Sequence, residues 1–554
     1  MFHIEKELYI IGMNESKRYN RILQVIDDHL IPDEEAKKRR GEVFTPPDLV
    51  REMLFGLRKD KLQIGKSEIF GIDNEGNFID ESEDNRVGGL PNEVWYNPNL
   101  KWLDPANGIG NFPVIAFYKL DYELSKVKGF EEKDTRRKHI IENMLFMIEL
   151  DKGNCTTCRQ IFRKIYPEAK PNICCADTLR TTFKEISDIF KVNNFDVIIG
   201  NPPFNPPKTE TGSSGNSIWQ NFVIKSFYML NDGGYLIFVH PPGWKKPTEE
   251  VFKIEKFALG DYTGQIRQGQ VWQVLKEEGV YKFIYTNDQR SKSLEYLDYF
   301  PAVDYYVYQK GEKTSRCDTK NIFLGNLEKG LNVKLNYDLN YLPNLITKQT
   351  QDILHKITSK DGEKTHFAAD RKLVFGKTLF AYEKKGYHKY IYSANKKGPI
   401  YAYSPNKLDN IDENKVILNF GGGIDAYFVK YIKSNEKTGS AHMTLYYTVD
   451  SDKHGKNIES FFKSDLVKFI FLITQYASGK MTKNEPLVAN SIAIPPEDIT
   501  DYYKFFDIEE HKKYIEDLLS QYEKFKAPKN VSKTSKAKKG GHFFRTTRKK
   551  SKIN

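Results

Sequence analysis

The stretch Phe195-Asp196-Val197-Ile198-Ile199-Gly200-Asn201-Pro202-Pro203-Phe204 decides how this chain is read. Its first six residues make a compact apolar run, as expected of a parallel strand buried on both faces. Two prolines then end the strand. They lack N–H donors and stiffen the turn, which leaves carbonyl oxygens free to face a pocket. Open α/β sheets bind their ligands at the carboxyl ends of the strands. An amide at Asn201, a carbonyl at Pro202 and a ring at Phe204 on that edge suit one chemistry in particular. They can accept two hydrogen bonds from an exocyclic amine while a ring stacks on a flat base.

Outward from this point the pattern repeats. Apolar runs stand at 102–106 (WLDPA), 144–150 (MLFMIEL), 172–177 (NICCAD), 233–242 (GGYLIFVHPP), 281–287 (YKFIYTN) and 303–309 (VDYYVYQ), with helical patterns between them. Such alternation predicts a βαβ domain over 41–312. The first run leads into Leu103-Asp104-Pro105-Ala106-Asn107-Gly108-Ile109-Gly110-Asn111-Phe112, a glycine-rich turn before a helix. Gly108 and Gly110 allow a tight turn and close approach to a ligand. The helix start offers N–H groups to an anion such as a carboxylate. Glu149, the acid after the next strand, lies 45 residues beyond Asp104. A dinucleotide fingerprint needs about 20, so the spacing disfavours NAD.

At 554 residues the chain has room for two or three domains. Residues 1–40 read as a charged helical arm, 58–100 as an inserted loop or hairpin, and 313–525 as a second, mixed α+β domain of Tyr-rich short strands with a helix around 458–477. The net charge of +11 is confined to the tail 526–554, which holds eleven Lys or Arg and no acid; without it 74 basic residues meet 74 acidic ones. That tail is too poor in apolar residues to fold alone and reads as a disordered basic arm. The most apolar segment, Leu466–Ile473, is far short of a membrane span and contains Lys468. The first residues lack the apolar core of an export signal, and five cysteines fit a reducing compartment. The expectation is a cytoplasmic protein, not secreted and without a membrane partner.

On these motifs the region from about 41 to 310 resembles the N6-adenine DNA methyltransferases of restriction-modification systems, in which the cofactor motif precedes the catalytic motif and a target-recognition domain follows. The resemblance implies a Rossmann-like S-adenosylmethionine-dependent methyltransferase domain with a C-terminal target-recognition domain. It implies that Phe44, Thr45 and Pro46 close over the methionine end of S-adenosylmethionine. Asp104, Pro105, Ala106, Gly108, Gly110, Asn111 and Phe112 would form the main cofactor loop. Glu149 would take the ribose hydroxyls and Asp177 the cofactor's adenine amine. Asn201, Pro202, Pro203 and Phe204 would act on a flipped adenine, with Phe300 as a second stacking ring. Double-stranded DNA is the implied partner, in the nucleoid or a viral genome, with a separate restriction endonuclease as a candidate second one. The Tyr-rich, Lys-interleaved strands at 375–405 and the helix near 458–477 are expected to meet the DNA.

Other chemistries fit less well. Cys155, Cys158, Cys174 and Cys175 have a spacing that suggests zinc, but neighbouring strand residues point to opposite faces, so core packing is expected and no metal. His240 reads as a loop histidine. The acidic run 73–84 lacks the pattern of a nuclease core. RNA adenine, a protein glutamine amide and a non-catalytic nucleic-acid-binding role remain as alternatives. Ser would be expected at position 201 for cytosine N4.

Overall fold

The computed structural model describes residues 45–526 except 61–68, 74–75, 207–216, 249–251, 253–265, 288–302, 313–315, 396, 420–423, 425–426, 442 and 477–484. The expected arm 1–40, the tail beyond 526, Phe44 and Phe300 therefore lie outside the described residues.

All seven apolar runs are strands: β1 (Trp102–Asp104), β2 (Leu145–Glu149), β3 (Asn172–Cys175), β4 (Phe195–Gly200), β5 (Leu230–His240), β6 (Gly279–Asn287) and β7 (Asp304–Lys310). Together with β8 (Arg316–Phe323) and β9 (Asn326–Lys334) they form one nine-stranded sheet in the order β3-β2-β1-β4-β5-β7-β6-β8-β9. β7 slots antiparallel between β5 and β6, and β9 is antiparallel to β8; the other pairings are parallel. This is the Rossmann-like α/β arrangement expected from the sequence. The order turns back on itself between β1 and β4, so the loops after these two strands open into one crevice.

Among the described residues, the helices of eight residues or more in this half are α1 (Pro47–Phe55), α2 (Asn111–Leu124), α3 (Lys152–Ile165), α4 (Phe183–Phe190), α5 (Trp219–Met229) and α6 (Gln270–Glu278). They cover both sheet faces, and the strand side chains alternate accordingly. Trp102, Met147, Val197, Ile199 and Ile237 pack with α1, α2 and α3. Leu103, Ile148, Ile198, Leu236 and Phe238 pack with α4, α5 and α6 on the other side. The 58–100 insertion holds a short antiparallel ribbon, Leu57–Arg58 against Arg86–Val87.

The sheet continues past the boundary expected at 312. Residues 316–323 pair with β6 from Asp318↔Phe283 to Ile322↔Asn287. The sequence hid this strand because it carries Arg316, Asp318, Lys320 and Asn321. Lys320 is nevertheless fully buried, 3.1 Å from the equally buried Glu52 of α1, which also accepts the Tyr305 hydroxyl at 2.7 Å. The carboxylate partner offsets the cost of burying this cation.

Beyond the sheet lie α7 (Lys348–Ser359), two three-stranded sheets, α8 (Asp452–Lys463), α9 (Asp465–Ile473) and α10 (Lys512–Lys526). One of these sheets contains β10 (His388–Asn395) and β11 (Gly398–Ser404), the other β12 (Lys415–Asn419). The helices at 452–473 are amphipathic: Lys453, Lys456 and Lys463 of α8 face outward, and the apolar side faces in. Ile458, Phe461, Phe462, Leu466, Phe469 and Ile473 are buried in the core of this half. Around 375–405 the result is divided: Tyr390 is buried, whereas Phe375 and Tyr382 are 43% and 57% exposed.

Candidate functional site

Four strand ends meet at the crevice. After β1, the Asp104 carboxylate is 2% exposed and sits beneath its loop rather than on the cavity wall. One of its oxygens accepts the Ala106 N–H at 3.0 Å. The other is buried with no hydrogen-bond partner. Burial, reinforced by the charge of Glu149, pushes this carboxyl up to about 8, against the Ala106 N–H, which lowers it. Gly110 then begins α2 in the left-handed region, at φ +106°. Asn111 donates to the Thr45 carbonyl at 2.9 Å and so ties the start of α2 to the residue ahead of α1.

After β2, Glu149 is oriented by backbone. Its two oxygens accept the Gly108 and Asp151 N–H groups, each at 2.8 Å. After β3, Asp177 accepts the Leu179 N–H at 2.9 Å, with Arg180 at 3.5 Å. After β4, Gly200 lies against the first of these loops: a Cβ there would come within 3.0 Å of an Asp104 oxygen. The chain then turns through Asn201, buried Pro202, Pro203 and Phe204.

These ends enclose a cavity of about 800 Å³, within the range of sites for small molecules. Thr45, Pro105, Ala106, Gly108, Asn111 and Phe112 line one part of it, Glu149 and Asp177 another, and Asn201, Pro202, Pro203 and Phe204 a third. Pro46 and Gly110 do not line it; they shape the starts of α1 and α2. Leu150, Ile218, Asn221 and Phe222 also line it, and no sequence motif pointed to them. Leu150 is the informative one, because at 61% exposed it offers an apolar face beside Glu149. Its position directly after the strand-end acid was the available signal.

Two expectations need correction. His240 is not a loop residue: it ends β5, is fully buried, stacks on Trp219 at 4.2 Å and meets the Tyr306 hydroxyl at 3.0 Å. Burial holds its pKa down to about 3, so it is a neutral core group. The cysteines do not all pack in the core. Cys155 and Cys175 are joined as a disulfide between α3 and β3, Cys158 is buried, and Cys174 is half-buried. The reason is topological: β3 is the edge of the sheet, so its second cysteine faces outward.

Parts of the chain are similar to known proteins. Residues 117–263 match the Eco57I restriction-modification methylase family. An adenine-specific methylase of Mycoplasma pneumoniae, itself uncharacterized, is 27% identical over 301 residues, covering 41% of this chain and 68% of the relative. Among solved structures, the methyltransferase subunit of a type I restriction-modification system from Streptococcus thermophilus aligns at 14% identity and a TM-score of 0.27, over 40% of this chain and 42% of that subunit. A DrdV–DNA complex aligns at 10% identity and a TM-score of 0.48, over 88% of this chain and 59% of that one.

Proposed function

From the premise that this chain is a relative of the adenine-specific restriction-modification methylases, we propose that it methylates N6 of adenine in duplex DNA, with S-adenosylmethionine as donor. One observation carries the proposal: the glycine loop, two strand-end acids and the Asn201–Phe204 turn line a single cavity. The residues present fit the cofactor. Thr45 Oγ1 and Asn111 Oδ1 are buried oxygens without partners on the cavity wall at the glycine-loop end, suited to the donors of a cationic amino-acid head, and the Asp104 carboxylate behind the loop adds negative charge there. Glu149, held by two backbone donors, keeps acceptor capacity for a pair of hydroxyls. Asp177 lines the cavity and would accept from an adenine amine. When bound, the cofactor supplies a methyl group on a sulfonium, an activated leaving group, so neither a metal nor a covalent enzyme intermediate is needed.

The chain's own residues act on the target. The adenine N6 lone pair is delocalised into the ring and is a poor nucleophile. Asn201 Oδ1 and the Pro202 carbonyl would each accept one N6–H, drawing the nitrogen toward tetrahedral geometry and freeing its lone pair. The base must leave the helix to reach this edge. Phe204, half-buried between the two cores that flank the sheet, would take its face and recover about 1–3 kcal/mol of the lost stacking. Phe300 is proposed as the opposing ring. A separate nuclease that cuts unmodified DNA is the proposed second partner.

The test is methylation-sensitive sequencing of DNA from cells expressing the chain or its Asn201→Ala variant. N6-methyladenine should occur in one sequence context with the parent and be absent with the variant, while cofactor affinity measured by calorimetry stays nearly unchanged. Another modified base, or methylation that survives Asn201→Ala, would overturn the assignment.

A further inference from the structure

α5 reaches two parts of the site. At its start Asn221 and Phe222 line the cavity beside the Asn201–Phe204 turn. One turn later Lys225 points into the protein and is fully buried. Its ammonium donates to the Thr178 carbonyl at 2.6 Å and to the Thr181 carbonyl. Both carbonyls belong to the turn that carries Asp177. That turn closes on Asp177's own carbonyl, which accepts the N–H groups of Arg180 and Thr181 at 3.1 and 2.9 Å and the Thr181 hydroxyl at 2.8 Å. On its far side, the Thr178 hydroxyl donates to the Pro105 carbonyl in the loop after β1. Lys225 thus joins the helix that follows the catalytic turn to two segments of the cofactor wall.

A buried ammonium is costly, and methionine would fill similar space without that cost. What lysine adds is a cation with three donors, set against carbonyls at the negative end of a short turn. We propose that Lys225 is a positioning residue for the adenine end of the cofactor, holding the 177–181 turn, and with it the Asp177 carboxylate, in place against α5. The proposal rests on reading the cavity as the S-adenosylmethionine site.

The charged groups facing the ammonium are Asp177 and Glu185, and the Phe183 ring lies 5.4 Å away. Burial pulls its pKa down to about 8 in spite of the two carboxylates, which raise it. It is therefore charged near neutrality, and its hold on the carbonyls weakens as pH rises through that value.

The probe is 5′-methylthioadenosine, a nucleoside thioether with no group titrating between about pH 6.5 and 9.5. With the parent protein, its affinity should fall several-fold across that range. Lys225→Met should bind it about tenfold more weakly near neutrality, with a flat profile. Lys225→Arg, charged throughout, should bind tightly with a flat profile. In the folded variants, turnover at saturating cofactor should stay close to the parent's while the cofactor KM moves. A flat profile in the parent, or parent-like affinity in Lys225→Met, overturns the role of Lys225. Should Lys225→Met fail to fold, the parent profile and Lys225→Arg still decide. A parent that binds no nucleoside overturns the reading of the cavity instead.

Discussion

Asp104 brings together one satisfied oxygen, one enclosed oxygen and a carboxyl that favours its proton up to about pH 8. In the free protein, the stability gained by keeping it protonated is complete below its ordinary value of 3.8 and is lost as pH rises toward 8. Asp104→Asn, which stays neutral, should flatten that loss when urea midpoints are compared at about pH 5 and pH 8. A cation seated over the loop would reverse the preference, because it is attracted to the carboxylate charge behind it. Below pH 8 the binding of S-adenosylmethionine should therefore release up to one proton, and affinity should weaken by as much as about tenfold per pH unit. Calorimetry in two buffers of different ionisation enthalpy measures the proton directly. This trend runs opposite to the one expected of Lys225, and it should be missing for the uncharged nucleoside.

Among the elements, the junction of the first loop with α2 tolerates little change. Gly110 has φ +106°, and a Cβ there would stand 2.9 Å from the buried Cys158 sulfur. Gly110→Ala combines left-handed strain of about 1–2 kcal/mol with a clash against the core. It should lower the melting temperature and cofactor affinity together. Removing an acid from a strand end is a narrower change. Glu149→Ala or Asp177→Ala should weaken cofactor binding by about 1–3 kcal/mol, and parent-like affinity in both would contradict their proposed roles. The central strands were legible in the sequence because each is an apolar run ended by a polar or proline-bearing loop. The cavity's polar residues were legible because they follow those runs directly. β8 was not, since Lys320 and Asn321 are buried through partners far away in the sequence. The Cys155–Cys175 bond escaped as well, because spacing alone does not reveal that β3 is an edge.

At the scale of the whole molecule, charge is separated by position. The body is formally neutral and the basic excess lies in 526–554. Deleting that tail should weaken binding to all duplexes about equally and flatten its salt dependence, while the methylated sequence stays the same. A truncated chain that marked a different sequence would place base recognition in the tail. If recognition instead resides after the sheet, it is the exposed part of the 375–405 region, with Phe375, Tyr382 and the Lys389–Tyr401 contact at 4.1 Å, that has the chemistry to meet DNA. The helices at 452–473 pack into the core of this half through their apolar side, and the exposed lysines of α8 could add phosphate contacts.

The strands at 316–334 have a consequence for anyone who would graft a foreign domain onto this chain. They belong to the central sheet, β8 pairing with β6, and the segment after them is fastened back to it: Leu342 N–H donates to the Lys245 carbonyl, Trp272 to the Leu339 carbonyl, and Thr319 and Asn321 to the Ile346 carbonyl. A splice at 312 would discard β8, leave Glu52 without Lys320 and bare the edge of β6. A splice just before α7 keeps the sheet whole, but Phe323, Leu324, Leu339 and Leu345 pack in the core of the following half, so a chimera joined there must supply a new apolar cover for them.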